Sequence, residues 1–140
     1  MSSRGRRDIQ VTVSFLTTRV KKPDEDNWGK LKRVLKYLKG TRYLCLKLTV
    51  DNLNVIRWWV DASYNVHWDA RGHTGGMMSL GQGAALNYSN KHKINVKSST
   101  EGELVGAHDM LTSIMYMLYF IKAQDYSADQ NIMYQDKRCV

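Results

Sequence analysis

Ten large apolar side chains crowd the stretch from Leu104 to Ile121 (Leu104, Val105, Met110, Leu111, Ile114, Met115, Met117, Leu118, Phe120 and Ile121), and Ser98-Ser99-Thr100-Glu101 stands just before it. Any of the three hydroxyl residues can cap a helix, and Glu101 or Glu103 then falls in its first turn. The spacing predicts one long helix whose apolar residues cover most of the circumference, so burial on more than one side is expected. The uninterrupted apolar part, Met110 to Ile121, is stopped upstream by Asp109 and His108. A bilayer span needs roughly 20 apolar residues, so the expectation is no membrane. A helix of this kind needs a sheet to pack on.

Strand-like segments supply one. Val55-Ile56-Arg57-Trp58-Trp59-Val60 is apolar on both alternating faces and ends at Asp61, which predicts a central strand. Gly72 to Leu80 and Ala84 to Ser89 read as a hairpin around Gly81-Gln82-Gly83, and Asn131 to Gln135 as a last strand ending at Asp136. Upstream, Tyr43, Cys45, Lys47 and Thr49 alternate with Leu44, Leu46, Leu48 and Val50, which predicts a further strand, followed by a turn at Asp51 to Asn54.

Charge divides the same chain differently. Residues 1–47 hold thirteen Lys/Arg and four acids, a net of +9, whereas residues 48–140 hold eight and nine, a net of −1. That asymmetry suggests two units, a basic segment over 1–50 and a second domain over 51–140. Pro23-Asp24, the first-turn acids Glu25 and Asp26, and Gly40 bracket a helix with Trp28, Leu31, Val34, Leu35 and Leu38 on one face and lysines around it. This is either a solvated basic face over a core stripe or a contact surface for a phosphate backbone. Cys45 and Cys139 form no CxxC pair and the first ten residues lack a signal-like apolar run, so a reducing, intracellular setting (cytoplasm or nucleus) is expected.

Asp61, Glu101 and Asp136 each sit at the boundary of an element. Parallel neighbouring strands ending in Asp61 and Asp136 bring two carboxylates together at their carboxyl ends, and a helix packed on the sheet adds a third. Clustered carboxylates repel, and a hard, oxygen-preferring cation relieves that repulsion. The plainer reading of the same residues is a turn, a capping box and a tail.

Trp59-Val60-Asp61-Ala62-Ser63-Tyr64, Arg71-Gly72-His73-Thr74-Gly75-Gly76, Lys97-Ser98-Ser99-Thr100-Glu101-Gly102-Glu103-Leu104 and Tyr134-Gln135-Asp136 together resemble the ribonuclease H region of Ty1/copia-type retrotransposon polyproteins. Leu31-Lys32-Arg33-Val34-Leu35-Lys36-Tyr37-Leu38-Lys39-Gly40-Thr41 is similar to the segment that joins reverse transcriptase to ribonuclease H there. The resemblance runs from about Phe15 to Asp136. It implies an α/β fold: a partial ribonuclease H-like mixed sheet with one long buried helix, preceded by a basic helix and strand. It further implies hydrolysis of RNA in an RNA/DNA hybrid, with Mg²⁺ (Mn²⁺ as the alternative ion) on Asp61, Glu101 and Asp136. Glu103 matches an acid that is not a ligand in that reading, and it points about 200° from Glu101 on a helix. Implied partners are the hybrid or another nucleic acid and the remainder of a Pol polyprotein.

The family's fourth acid and the last strand and helices around it have no counterpart in these 140 residues. The expectation is therefore an incomplete or inactive fragment, with a non-catalytic nucleic-acid-binding remnant as the alternative. Arg71, Lys91, Lys93 and Lys97 are the expected backbone contacts beside the site. Trp58, Trp59, Trp68 and Tyr88 can pack in the core or stack on bases, and strand alternation puts Trp58 and Trp59 on opposite faces. His67, His73 and His92 read as loop histidines, since no short-spaced pair completes a zinc site.

Overall fold

The computed structural model of the protein describes Ser2 and residues 5–135, which fall into two compact units, Met1–Leu46 and Lys47–Val140. The division lies four residues before the boundary read from charge.

The first unit holds a short 3₁₀ turn at Arg7–Ile9, helix α1 (Gln10–Thr17) and helix α2 (Glu25–Gly40). α2 begins as its sequence predicts, with the Asp24 side chain accepting from the Asn27 N–H at 2.7 Å. α1 carries no such signal: Ile9 at its N-cap makes no side-chain cap bond, and Val11, Thr12 and Val13 are strand-favouring. Arg6 grips Asp8 through two nitrogens at 2.7 and 3.0 Å and reaches Thr41, tying the unit's start to the end of α2. That guanidinium holds the Asp8 carboxyl down at about 2. The expected core stripe of α2 is largely uncovered, with Trp28, Leu31 and Leu35 exposed. A piece this short cannot enclose a helix with one other helix alone.

The second unit is mixed α/β: β1 (Val55–Ser63), β2 (His73–Ser79), β3 (Leu86–Lys91), α3 (Ser99–Lys122) and β4 (Gln130–Tyr134). The strands form a sheet in the order β3-β2-β1-β4, with β1 antiparallel to β2, β2 antiparallel to β3 and β1 parallel to β4. Such a sheet with one long helix is compatible with the partial ribonuclease H-like fold implied by the resemblance. β1 is central, as its apolar sequence predicts. Ile56, Trp58 and Val60 face α3, where Met110, Ile114 and Ile121 complete the core with Met78 of β2. α3 lies close on the sheet at Gly106, where a Cβ would lie 3.2 Å from the Ala62 Cβ and 3.3 Å from the Thr74 Oγ1.

Two expectations need correction. The alternation at Tyr43–Val50 forms no strand; the segment stays irregular and its large side chains are exposed on both alternating sets. No strand edge is offered to it. Instead Thr49 N–H donates to Gln82 O and Asp51 N–H to Leu80 O, both in the hairpin loop. That loop turns at Gly83, with φ of 76°, where a Cβ would fall 2.2 Å from Lys47 O. The second correction concerns α3. Only one of its sides is buried, and Leu104, Leu111, Tyr116, Tyr119 and Phe120 are exposed, because a single sheet covers a single side of a helix. By length and composition Ser99–Lys122 is apolar enough to cross a membrane, contrary to the shorter run read from the sequence, but its Gly102-to-Ile121 stripe packs as a core helix.

Candidate functional site

β4 ends opposite β1 at the pair Trp59–Tyr134, so the last residues of β1, Val60 to Ser63, run past it. Their backbone on that edge needs other partners. The Ala62 N–H finds one in the Glu103 carboxylate, donating to Oε1 at 3.2 Å. Gln135, directly after β4, donates from Nε2 to Glu103 Oε2 at 2.9 Å and to the Glu103 carbonyl at 2.8 Å. Glu103 is 7% exposed, and a carboxylate so placed is tolerated only with donors of this kind around it.

Asp61 precedes Ala62 on β1 and points to the opposite, open face of the sheet, exposed and without a hydrogen-bonding or ion-pair partner among the described residues. Asp61 and Glu103 thus arrive at one end of β1 from opposite faces, one free and one clamped. Glu101 does something else. Ser98 Oγ accepts from the Glu101 N–H at 3.1 Å, and Glu101 Oε2 accepts from the Lys97 N–H at 2.7 Å. This is a reciprocal cap that holds Glu101 at the exposed helix start, away from β1. Of the two glutamates it is Glu103, not the expected Glu101, that hydrogen-bonds to β1. The buried stripe of α3 is Gly102, Glu103, Gly106, Met110, Ile114 and Ile121, and Glu103 lies five full turns from Ile121, in phase with it, while Glu101 is about 200° out. That phase was the available signal. Apolar residues all round the helix hid it.

Asp136, the third acid of the expectation, lies outside the described residues. Among the described residues no group of three His, Cys, Asp or Glu side chains comes together closely enough to hold a metal ion. Asp61 and Glu103 themselves offer carboxylate oxygens, the donor type suited to a hard divalent cation, and Asp61 has its oxygens uncommitted.

Of the expected basic contacts, Lys91 and Arg71 converge on Asp69 at 2.6 and 3.4 Å and hold its carboxyl below its usual range. Lys91 closes β3 rather than lying in a loop, with its ammonium 5.7 Å over the Trp68 ring. Lys93 and Lys97 are exposed, and Lys93 borders a groove with Ile94, Leu104, Leu111 and Met133.

His67 and His92 lie in loops, as expected, but are buried there, whereas His73 opens β2. His92 is 1% exposed, with Nε2 2.7 Å from Thr74 Oγ1 and its N–H on Gly72 O. His73 bridges His67 at 3.1 Å and Ser89 at 2.8 Å. The loop after β3 folds back over β2 and encloses them. Burial pushes both His92 and His73 below the ordinary 6.5, with Asp109 and Glu103 partly opposing at His92 and the His92 charge adding at His73. The unfolded chain therefore takes up protons before the fold does, and stability drops as pH falls below about 6.5. Urea midpoints measured from pH 7.5 down to 5.5 should decline; a flat or rising midpoint would show that these rings accept protons inside the fold.

The chain is 33% identical over 112 residues to a transposon Ty5-1 protein of Saccharomyces cerevisiae, a match covering 79% of this chain and 36% of that protein. It is 23% identical over 134 residues to the retrovirus-related Pol polyprotein from transposon TNT 1-94 of Nicotiana tabacum, covering 95% of the chain and 10% of the polyprotein. Over 99 residues it is 34% identical to the retrovirus-related Pol polyprotein from transposon RE2 of Arabidopsis thaliana, covering 70% and 7%. The chain spans about a third of the first relative and a tenth or less of the two Pol polyproteins, so the likeness is to a part of each. No family model matches it, and no solved structure does.

Proposed function

We propose that this chain is the ribonuclease H region of a Ty1/copia-type retrotransposon polyprotein, with the end of the preceding connection segment, and that, against the expectation of an inactive fragment, it hydrolyses RNA paired to DNA. The observation that supports this most is the seat of Glu103: a buried carboxylate from α3 clamped on the peptide that follows Asp61. The transposon polyprotein relatives support the setting.

In this reading Asp61, Glu103 and Asp136 would hold Mg²⁺, which would supply the activated water and the charge stabilisation that phosphodiester cleavage needs. Glu103 replaces Glu101 as the helix carboxylate. The Ala62 N–H and the Gln135 amide set its orientation, and Asp61 contributes free oxygens from the open face. Gln135, which precedes Asp136 in sequence, holds the end of β4 to Glu103. The basic first segment, net +9 over residues 1–47, adds attraction for the phosphate backbone.

Purified chain incubated with a labelled RNA/DNA hybrid and Mg²⁺ should release shortened RNA, and Asp61→Asn should stop it. Salt-sensitive binding of the hybrid with no cleavage in the wild type would instead support a non-catalytic nucleic-acid-binding remnant.

A further inference from the structure

The side of the sheet away from α3 carries a short aromatic shelf. Strand register places Met77, Trp59 and Tyr134 in one row across β2, β1 and β4. They are 37%, 36% and 43% exposed, and the Trp59 and Tyr134 rings stack with centroids 5.5 Å apart and planes 24° from parallel. Two residues further along β1, roughly 7 Å at strand rise, Asp61 lies on the same face. Its β2 partner is Gly75, where an added Cβ would meet nothing nearer than Asp61 O at 3.9 Å. The surface beside Asp61 is therefore low and open. Two residues back, Arg57 stands on the same face with no ion pair among the described residues.

We infer that this shelf takes an unpaired nucleobase, stacked on Trp59 and Tyr134, of a single strand whose backbone passes Arg57. The inference rests on the nucleic-acid reading above and adds to it a second site, one for single-stranded nucleic acid rather than for the hybrid. Exposed aromatics on a sheet face offer planar, sequence-tolerant platforms that every base can use. Arg57 supplies the complementary charge for a phosphate beside a stacked base. A purely apolar protein partner would leave that guanidinium and Asp61 covered and unpaired, which is costly.

Fluorescence anisotropy of the full chain with a labelled oligothymidylate and with an abasic strand of equal length tests this. The wild type should bind the thymidylate roughly tenfold more tightly than the abasic strand. Trp59→Ala should erase that preference, Tyr134→Ala should reduce it, and Trp59→Phe should keep most of it. Equal binding of both strands by the wild type overturns the shelf without using any variant, and so does a preference that survives Trp59→Ala in a protein with unchanged circular dichroism. If the hybrid is still bound in either case, the ribonuclease H reading stands and only the shelf falls. If neither strand nor hybrid binds, both fall. A dimer that dissociates in Trp59→Ala, with no base preference, assigns the row to protein association and overturns the inference.

Discussion

Glu103→Gln is expected to reduce Mg²⁺-dependent hybrid cleavage on the order of 100-fold or more, whereas Glu101→Gln should leave it within about threefold. Outer partners of a metal site are typically worth 10- to 100-fold, and a direct ligand exceeds them. Glutamine keeps the size of the side chain and one acceptor for the Ala62 N–H, so the helix stays seated while the charge is lost. Glu101 serves the helix start, and its replacement weakens a cap without touching β1. A readout independent of cleavage is the melting temperature. Mg²⁺ that binds only the folded chain raises it, and that rise should vanish in Glu103→Gln and persist in Glu101→Gln. The opposite pattern would return the metal role to Glu101.

Trp58→Ala should leave the second unit largely unfolded, at a cost of about 3–5 kcal/mol, while Trp59→Ala should be tolerated. Trp58 is fully buried against Met110 and Ile114, and its Nε1 donates to Asn131 Oδ1 at 2.9 Å. Truncation opens a large cavity and strips the half-buried Asn131 of a donor. Against total stabilities of about 5–15 kcal/mol that loss is decisive for a unit with one sheet and one helix. Urea titration followed by circular dichroism measures both variants. Similar midpoints for the two would mean that the core does not lie on the Trp58 side.

These two expectations rest on adjacent or near-adjacent residues that sequence could not rank. Trp58 and Trp59 were readable as lying on opposite faces, because side-chain direction alternates in any strand. Which face α3 would cover was not readable, since both alternating sets are apolar. The glutamates pose the helical version of the same problem. Glu101 sits in a strong capping pattern that the structure forms with Ser98 as the cap, and that local strength made it the more visible acid. Glu103 becomes the inward one only because the stripe through Gly106, Met110 and Ile114 meets the sheet.

His92 shows a longer-range limit. Seen in sequence it is a polar residue between lysines, yet it is enclosed once the loop after β3 returns to Gly72 and Thr74. Tyr43–Val50 fails in the other direction. Its alternation is genuine, but a strand exists only where a neighbour presents matching N–H and C=O groups, and the nearest ones are two carbonyls of a hairpin loop.

What the sequence determined on its own was everything carried by short-range rules: where α2 and α3 start, the order of strands and helix in the second unit, the central position of β1, the confinement of the net positive charge to the first 47 residues, and the placing of acids at element ends. Capping, turn chemistry and periodicity act over a few residues and need no partner to be read. Only the tertiary structure decided which Trp is core, which Glu reaches β1, that His67 and His92 are buried, and that one side of α3 and one side of the sheet stay open. Each of these is a choice between faces. A period of 2 or 3.6 defines the faces but leaves them equivalent until packing of distant segments covers one and leaves the other to solvent.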